Sequence, residues 1–228
     1  MQVPKIALIH ATALAMAPVA AAFERLWPEA RRMNLLDVRL SQDLALAGVL
    51  DDAMMARFHT LAQYAKRCGA DAILFTCSAF GPAIESVNQS VGLPTLNPNE
   101  AMFDEALDLC RNLAKPAGQA VRIGLLTTFG PSAAPLMEEL EVAAQRQGIT
   151  ITVDAACATG AMERLNAGDA AGHDAMIVQH ASTLSHCHVV MLGQFSMARA
   201  QPAVSKNCAM PVLTSPASAV QRLRRLLA

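Results

Sequence analysis

The sequence predicts an α/β protein made of two similar domains. Each is a parallel four-stranded sheet flanked by helices, the two related by pseudo-twofold symmetry with an active site in the cleft between them. Three observations lead there. Short, continuous apolar runs alternate with helix-like stretches, the signature of a parallel sheet covered on both faces. The alternation restarts midway at a constant offset. The apolar runs end in thiols, hydroxyls and amides, where open parallel sheets bind ligands.

The offset is read from landmarks. Lys5 of "KIALIHAT" answers Arg122 of "RIGLLTTF" (122 − 5 = 117), and Asp37 closing "MNLLDV" answers Asp154 in "TITVDA" (154 − 37 = 117). Cys77 of "DAILFTCSAF" answers Gln194 of "HVVMLGQFSM" (194 − 77 = 117), and the same spacing joins "LPTL" to "MPVL" and Pro18 to Pro135. Five landmarks at one spacing and without a gap predict a structural repeat of old origin, since identities are few.

In the first half the strands are expected near 5–10, 33–38, 72–77 and 93–97, from apolar runs bounded by breakers. Helices are expected near 16–27, 51–68 and 82–91, the last announced by Gly81-Pro82 with proline in the first turn. The second half repeats this, with strands near 121–127, 150–155, 187–193 and 210–214 and helices near 132–147, 169–185 and 198–207. "NEAMFDEALDLCRNLAK" joins the halves, and "ASAVQRLRRLLA" is its equivalent at the end. Residues 1–97 with 214–228 are assigned to the first domain and 98–213 to the second. The opening "IALIHATALAMAPVAAAF" has signal-peptide character, but its match to the Ile123 strand makes it core, so the mature protein is expected to keep its first residues.

Composition narrows the function. With 228 residues, 53% hydrophobic and 16% charged, the chain has the apolar content of a globular protein. A net charge of −1 without any basic run argues against nucleic acid or an anionic membrane as partner, and 4% aromatics leave little for base stacking. Six cysteines without C-x-x-C spacing read as reduced thiols of a cytoplasmic protein.

The strand ends carry His10-Ala11-Thr12, Cys77-Ser78-Ala79, Thr127-Thr128 and Gln194-Phe195-Ser196. A thiol at a helix N-terminus meets free N–H groups and the positive end of the dipole, which favour thiolate and attract an anion. Taken alone, Cys77 is most simply a packed core cysteine; its strand-end position favours a functional one.

The twin halves and the "TCS" and "LGQ" loops resemble the aspartate/glutamate/hydantoin racemase superfamily, which includes maleate isomerase and arylmalonate decarboxylase, and the likeness covers nearly the whole chain. The resemblance implies that a Cα–H beside a carboxylate is made labile without metal or cofactor, between two cysteines that follow the third strand of each half. Cys77 fills the first position and Gln194 the second. Glutamine does not titrate, so paired-thiol racemisation, which needs two opposed proton carriers, loses one of them. A single thiol suffices for decarboxylation or for addition to an alkene. The decarboxylase's lone cysteine belongs to its second half, so Cys77 would deliver its proton from the opposite face. Where hydantoin-racemase-like members read Asn-Pro-Asn, this chain has His10-Ala11-Thr12. After the thiol, Ser78 keeps a hydrogen-bonding residue and Ala79 loses one. Thr127 and Thr128 fill the loop that supplies carboxylate contacts, and Phe129 stands where decarboxylase-like members have tyrosine.

Other candidates read as structure. Cys68, Cys110, Cys157, Cys187 and Cys208 fall in or beside helices or at strand starts and read as packing. His186 and His188 flank Cys187, but alternate strand residues do not converge on one ion, and no metal site is expected. His173 and His180 lie on a helix as surface or satisfied side chains. Scattered glycines form no nucleotide fingerprint, and Arg222, Arg224 and Arg225 form a solvated face.

The expected function is therefore a cofactor-independent lyase or isomerase acting beside the carboxylate of a small acid. Cys77 is its single acid/base or nucleophile, and His10, Thr12, Ser78, Ala79, Thr127, Thr128, Gln194 and Phe195 contact the substrate. The alternative is a small-carboxylate binding or sensor protein that has lost catalysis. A homodimer is expected only because related folds pair; no residue pattern specifies a surface.

Overall fold

The computed structural model describes residues 3–112 and 120–228, and the chain packs as two compact units, Met1–Ala101 with Ala219–Ala228 and Met102–Ser218. The last three residues of the "NEAMFDEALDLCRNLAK" segment, 113–115, and the first two residues of the chain lie outside the described residues.

The first unit holds four parallel strands, β1 (Lys5–His10), β2 (Arg31–Leu36), β3 (Ala72–Phe75) and β4 (Thr95–Leu96), in the order β2-β1-β3-β4. Helix α1 (Met16–Leu26) connects β1 to β2, α2 (Arg39–Ala47) and α3 (Asp52–Arg67) connect β2 to β3, and α4 (Gly81–Val91) precedes β4. β1 and β3 are buried almost throughout, because they lie inside the sheet. β2 is an edge, and along its "RRMNLL" the half-buried Met33 and Leu35 alternate with exposed residues accordingly. Ala7 and Ile9 of β1 and Ile73 and Phe75 of β3 face one way, into a core closed by Phe58, Ala62 and Ala65 of α3 and Ala83, Ile84 and Val87 of α4. Helix α3 begins at Asp51, whose carboxylate accepts from Met54 N at 2.8 Å. Helix α4 stops at Gly92, whose φ of 67° is the left-handed C-terminal conformation that a side chain would strain.

The second unit repeats the arrangement with β5 (Val121–Thr127), β6 (Ile151–Cys157), β7 (Val189–Leu192) and β8 (Val212–Thr214), all parallel, in the order β6-β5-β7-β8. Between them run α6 (Ala133–Arg146), α7 (Ala161–Asn166), α8 (Ala170–Ala181) and α9 (Gln201–Asn207). α5 (Glu100–Arg111) lays Met102, Phe103, Ala106 and Leu107 with Leu136 and Leu140 of α6 on one face of the sheet. The other face carries Ile177 and Ala181 of α8 and Val204 of α9. β7 shows the alternation directly, with Val189 and Met191 in the first cluster and Val190 and Leu192 in the second. The closing helix α10 (Ser215–Leu227) places its last nine residues with the first unit. There Arg222 bonds Glu100 at 3.2 Å and Arg224 bonds the Leu26 carbonyl at 3.0 Å, so these arginines dock the helix rather than forming only a solvated face.

The repeat is not gapless. β3 and β7 begin 117 residues apart (189 − 72), as do β4 and β8 (212 − 95). β2 and β6 do not keep that spacing. Ala7 pairs with Met33 and Gly124 with Asp154, so the level of Asp154 in its sheet is that of Met33 in the first (154 − 33 = 121). Asp37, by contrast, lies just beyond the end of β2. Four residues are gained between the first and second strands, where α6 has 14 residues against 11 in α1, and are given back before the third strand, where α7 and α8 have 6 and 12 against 9 and 16 in α2 and α3. The equivalence of Asp37 and Asp154 was a coincidence of two compensating length changes. Also unforeseen was α2, too short for a periodic pattern to separate from loop.

Candidate functional site

In each unit the chain runs from its first strand to a neighbour on one side, then returns to the third strand on the other side. That reversal leaves a crevice at the carboxyl ends of β1 and β3, and again at those of β5 and β7, where sheets of this order bind ligands. His10 and Cys77 stand at the first pair of ends, Thr127 and Gln194 at the second.

Past β3, the Thr76 amide still donates to Ile9 O at 3.1 Å, and the ladder then stops. Cys77 is extended (φ −131°, ψ 119°) and opens a 3-10 turn over Ser78–Phe80 that runs directly into α4. Phe80, fully buried, pins this turn: its ring centroid lies 4.8 Å from that of Phe58, which in turn lies 5.4 Å from Phe75. Ser78 is half-buried and Ala79 exposed. Burial pushes the Cys77 thiol above its ordinary pKa, and the Ala79 N–H, which pulls it down, is the smaller influence. The helix-end argument for thiolate is thus overridden by desolvation, and the group rests as a protonated thiol.

His10 is completely buried at the end of β1. Its Nε2 lies 3.0 Å from Asn34 Oδ1 and its Nδ1 2.9 Å from Thr76 Oγ1. The Asn34 oxygen can only accept, so Nε2 carries the proton and Nδ1 accepts the Thr76 hydroxyl. Both ring nitrogens are engaged, and the residue they hold is the one before Cys77. Burial lowers the His10 pKa, against the raising influence of the Asn34 bond. The unfolded chain therefore binds a proton near the ordinary 6.5 that the folded one refuses. Stability from this site is complete above that pH and falls as pH drops from it towards the folded value. His10→Asn should flatten that limb in urea titrations between pH values bracketing 6.5; an unchanged slope would remove the buried neutral imidazole from the account. Thr12 lies half-buried two residues on and caps a 3-10 turn over Ala13–Ala15 through a long 3.4 Å bond from Leu14 N.

In the second unit Gln194 occupies the Cys77 position in backbone as well as in order. It too is extended (φ −125°, ψ 149°) and opens a 3-10 turn, Phe195–Ala200, with Phe195 buried. Its Oε1 accepts from Thr128 N at 2.9 Å and from Thr128 Oγ1 at 3.4 Å, and its Nε2 donates to Ser132 Oγ at 2.8 Å. Ser132 Oγ donates onward to Phe129 O at 2.6 Å. The amide thus ties the loop after β7 to the loop after β5, and it keeps one N–H in hand. Thr127 Oγ1 is buried and has no hydrogen-bond partner among the described residues. A buried hydroxyl without a partner costs about 1–3 kcal/mol. Phe129 is 60% exposed. Sequence reasoning missed Asn34, Thr76 and Ser132 as supports. Their partners are 24 to 66 residues away, and nothing local marks them.

The remaining cysteines are all free thiols. His173 departs from expectation: it is fully buried, with Nδ1 2.8 Å from Asp174 Oδ1 and Nε2 unpartnered among the described residues. His180 Nδ1 donates to Met176 O at 2.9 Å.

Twin parallel sheets of this order, with thiol, hydroxyl and amide side chains at their switch points, define the class. The chain matches the Asp/Glu/Hydantoin racemase family over residues 11–223 and belongs to it. That membership places it in a family of racemases. No curated protein matches it in sequence. An aspartate racemase homologue from Pyrococcus horikoshii is similar in structure, at TM-score 0.71 and 15% identity, with 97% of this chain and 98% of that one covered. So is a glutamate racemase from Bacillus anthracis, at 0.68 and 12%, with 98% and 81% covered. Unliganded arylmalonate decarboxylase matches at 0.61 and 16%, with 98% and 92% covered. At such identities the likeness is one of fold. Among the described residues, no helix is long and apolar enough to cross a membrane.

Proposed function

We propose that the protein is a cofactor-independent lyase or isomerase acting at the carbon beside the carboxylate of a small acid, with Cys77 as its one proton carrier. The observation that carries this reading is the asymmetry of two otherwise equivalent positions. Cys77 is a half-buried thiol kept protonated by desolvation, whereas Gln194, in the same backbone conformation, is an amide bonded to Thr128 and Ser132. A protonated thiol is prepared to give a proton, and nothing at the matching position is prepared to take one.

Decarboxylation of a malonate-type acid fits that arrangement best. The bond from Cα to one carboxylate breaks, carbon dioxide leaves, and the electron pair stays on Cα as the enediolate of the other carboxylate. Cys77 transfers its S–H proton to Cα, and the thiolate recovers a proton from water. The Thr127 and Thr128 hydroxyls and the second Gln194 N–H hold the retained carboxylate and its developing charge, with backbone N–H groups of the turns after Cys77 and Gln194 as further donors. Thr12, Ser78, Ala79 and Phe195 line the substrate, and His10 acts through Thr76.

The test is incubation of alkyl- and arylmalonates and of simple 2-substituted acids in D₂O. Carbon dioxide release with one deuteron at Cα is expected. A ligand-induced rise in melting temperature with neither product would establish the carboxylate-binding alternative instead.

A further inference from the structure

We propose that Asp154, His186 and Cys187 form a binding site for one zinc-type divalent cation, separate from the strand-end loops. Asp154 projects from the middle of β6, and His186 and Cys187 immediately precede β7, at the end of the sheet opposite Thr127 and Gln194. The ligand atoms already stand close. Asp154 Oδ2 is 3.1 Å from His186 Nε2 and 3.6 Å from Cys187 Sγ, and the three atoms lie within 4.8 Å of one another. With bonds of about 2.0–2.3 Å, the ligand atoms of a tetrahedral zinc stand roughly 3.3–3.8 Å apart. The set of one thiolate, one imidazole and one carboxylate is what zinc takes, and water completes the fourth position.

His188 takes no part, because its Nδ1 accepts from Arg122 N at 3.1 Å. Convergence comes instead from Asp154, which lies on β6, two strands away across β5, level with a glycine against which Val190 and Leu184 pack too closely for a side chain. A Cβ on Gly124 would stand 3.1 Å from Val190 Cγ2 and 3.2 Å from Leu184 Cβ. Without the ion, Oδ2 gathers hydrogen bonds from His186 Nε2–H, Cys187 S–H and Arg122 Nε, the last at 3.0 Å. Binding replaces two of these. The Cys187 proton goes to solvent, the His186 proton moves to Nδ1, and both freed lone pairs turn to the cation. Arg122 also holds Oδ1 through Nη2 at 3.1 Å and can retain that bond, the outer support that ligating carboxylates commonly have. Cys187 is 5% exposed while the His186 side chain is 50% exposed, so the ion enters from the His186 side and fastens the turn before β7 to β6.

Cobalt(II) added to the purified chain should give a thiolate-to-cobalt charge-transfer band, and zinc titrated calorimetrically should bind at about one ion per chain. Cys187→Ser should abolish the band, and His186→Gln should weaken zinc at least about 100-fold, because each removes a direct ligand. His186 is exposed, so that variant decides the matter if Cys187→Ser does not fold. Cys77→Ser should keep the band, which separates this site from the proposed catalytic thiol. No band, or a band undiminished in Cys187→Ser or lost in Cys77→Ser, overturns the proposal.

Discussion

Cys77→Ser should lower turnover on any substrate found by about 10²–10⁴-fold while the protein folds normally. That range equals roughly 2.7–5.4 kcal/mol of barrier at 1.36 kcal/mol per tenfold. The cause is acidity alone. A hydroxyl of nearly the same shape sits at the same extended position before the Ser78–Phe80 turn, yet it cannot surrender its proton to a carbanion at comparable cost. Cys77 is half-buried and serine is nearly its shape, with an oxygen that can still accept from the Ala79 N–H, so the substitution disturbs little structure. KM should change little, and the loss should appear in kcat. Turnover equal to that of the unaltered chain would dismiss the thiol as proton carrier, whatever the substrate. A second reading comes from alkylation by iodoacetamide, which needs thiolate. Because burial raises the Cys77 pKa, its modification rate should climb with pH through a midpoint above that of an ordinary thiol.

The second large effect is expected at Phe80. Phe80→Ala should destabilise the first unit by about 3–5 kcal/mol, the usual range for emptying a buried phenyl site. The ring has no exposed surface and packs tilted against Phe58, which in turn packs tilted against Phe75. It is also the last residue of the turn that Cys77 opens, so the loss reaches the site. Urea unfolding should show a lower midpoint, and Cys77 alkylation should accelerate as the turn loosens. An unchanged midpoint would mean that the aromatic cluster does not support this loop. Together the two variants separate the roles: one removes the proton with the loop intact, the other loosens the loop with the thiol in place.

The aromatic cluster also shows how far the primary structure could be read. The "ILFTCSAFGP" stretch displays its strand, its thiol and its proline-started helix directly, because a buried parallel strand must be apolar for its whole length and a helix start tolerates proline. The same logic exposed the repeat and with it the position of Gln194. The repeat failed at Asp154 because offsets count residues, whereas register counts hydrogen-bonded neighbours. Helix α6 is longer than α1 by about as much as α7 is shorter than α2, and a count cannot see changes that cancel.

Periodicity and strand-end chemistry determined the two α/β halves, the family they resemble and the single thiol at position 77. Tertiary structure alone decided the states of those groups. Desolvation keeps Cys77 protonated against the pull of its helix, His10 spends both nitrogens on Asn34 and Thr76, and Gln194 braces two loops of its own sheet. A sequence specifies which groups a strand end can offer. Their proton affinity and free valences depend on neighbours brought from far along the chain, and only the packed fold supplies those neighbours.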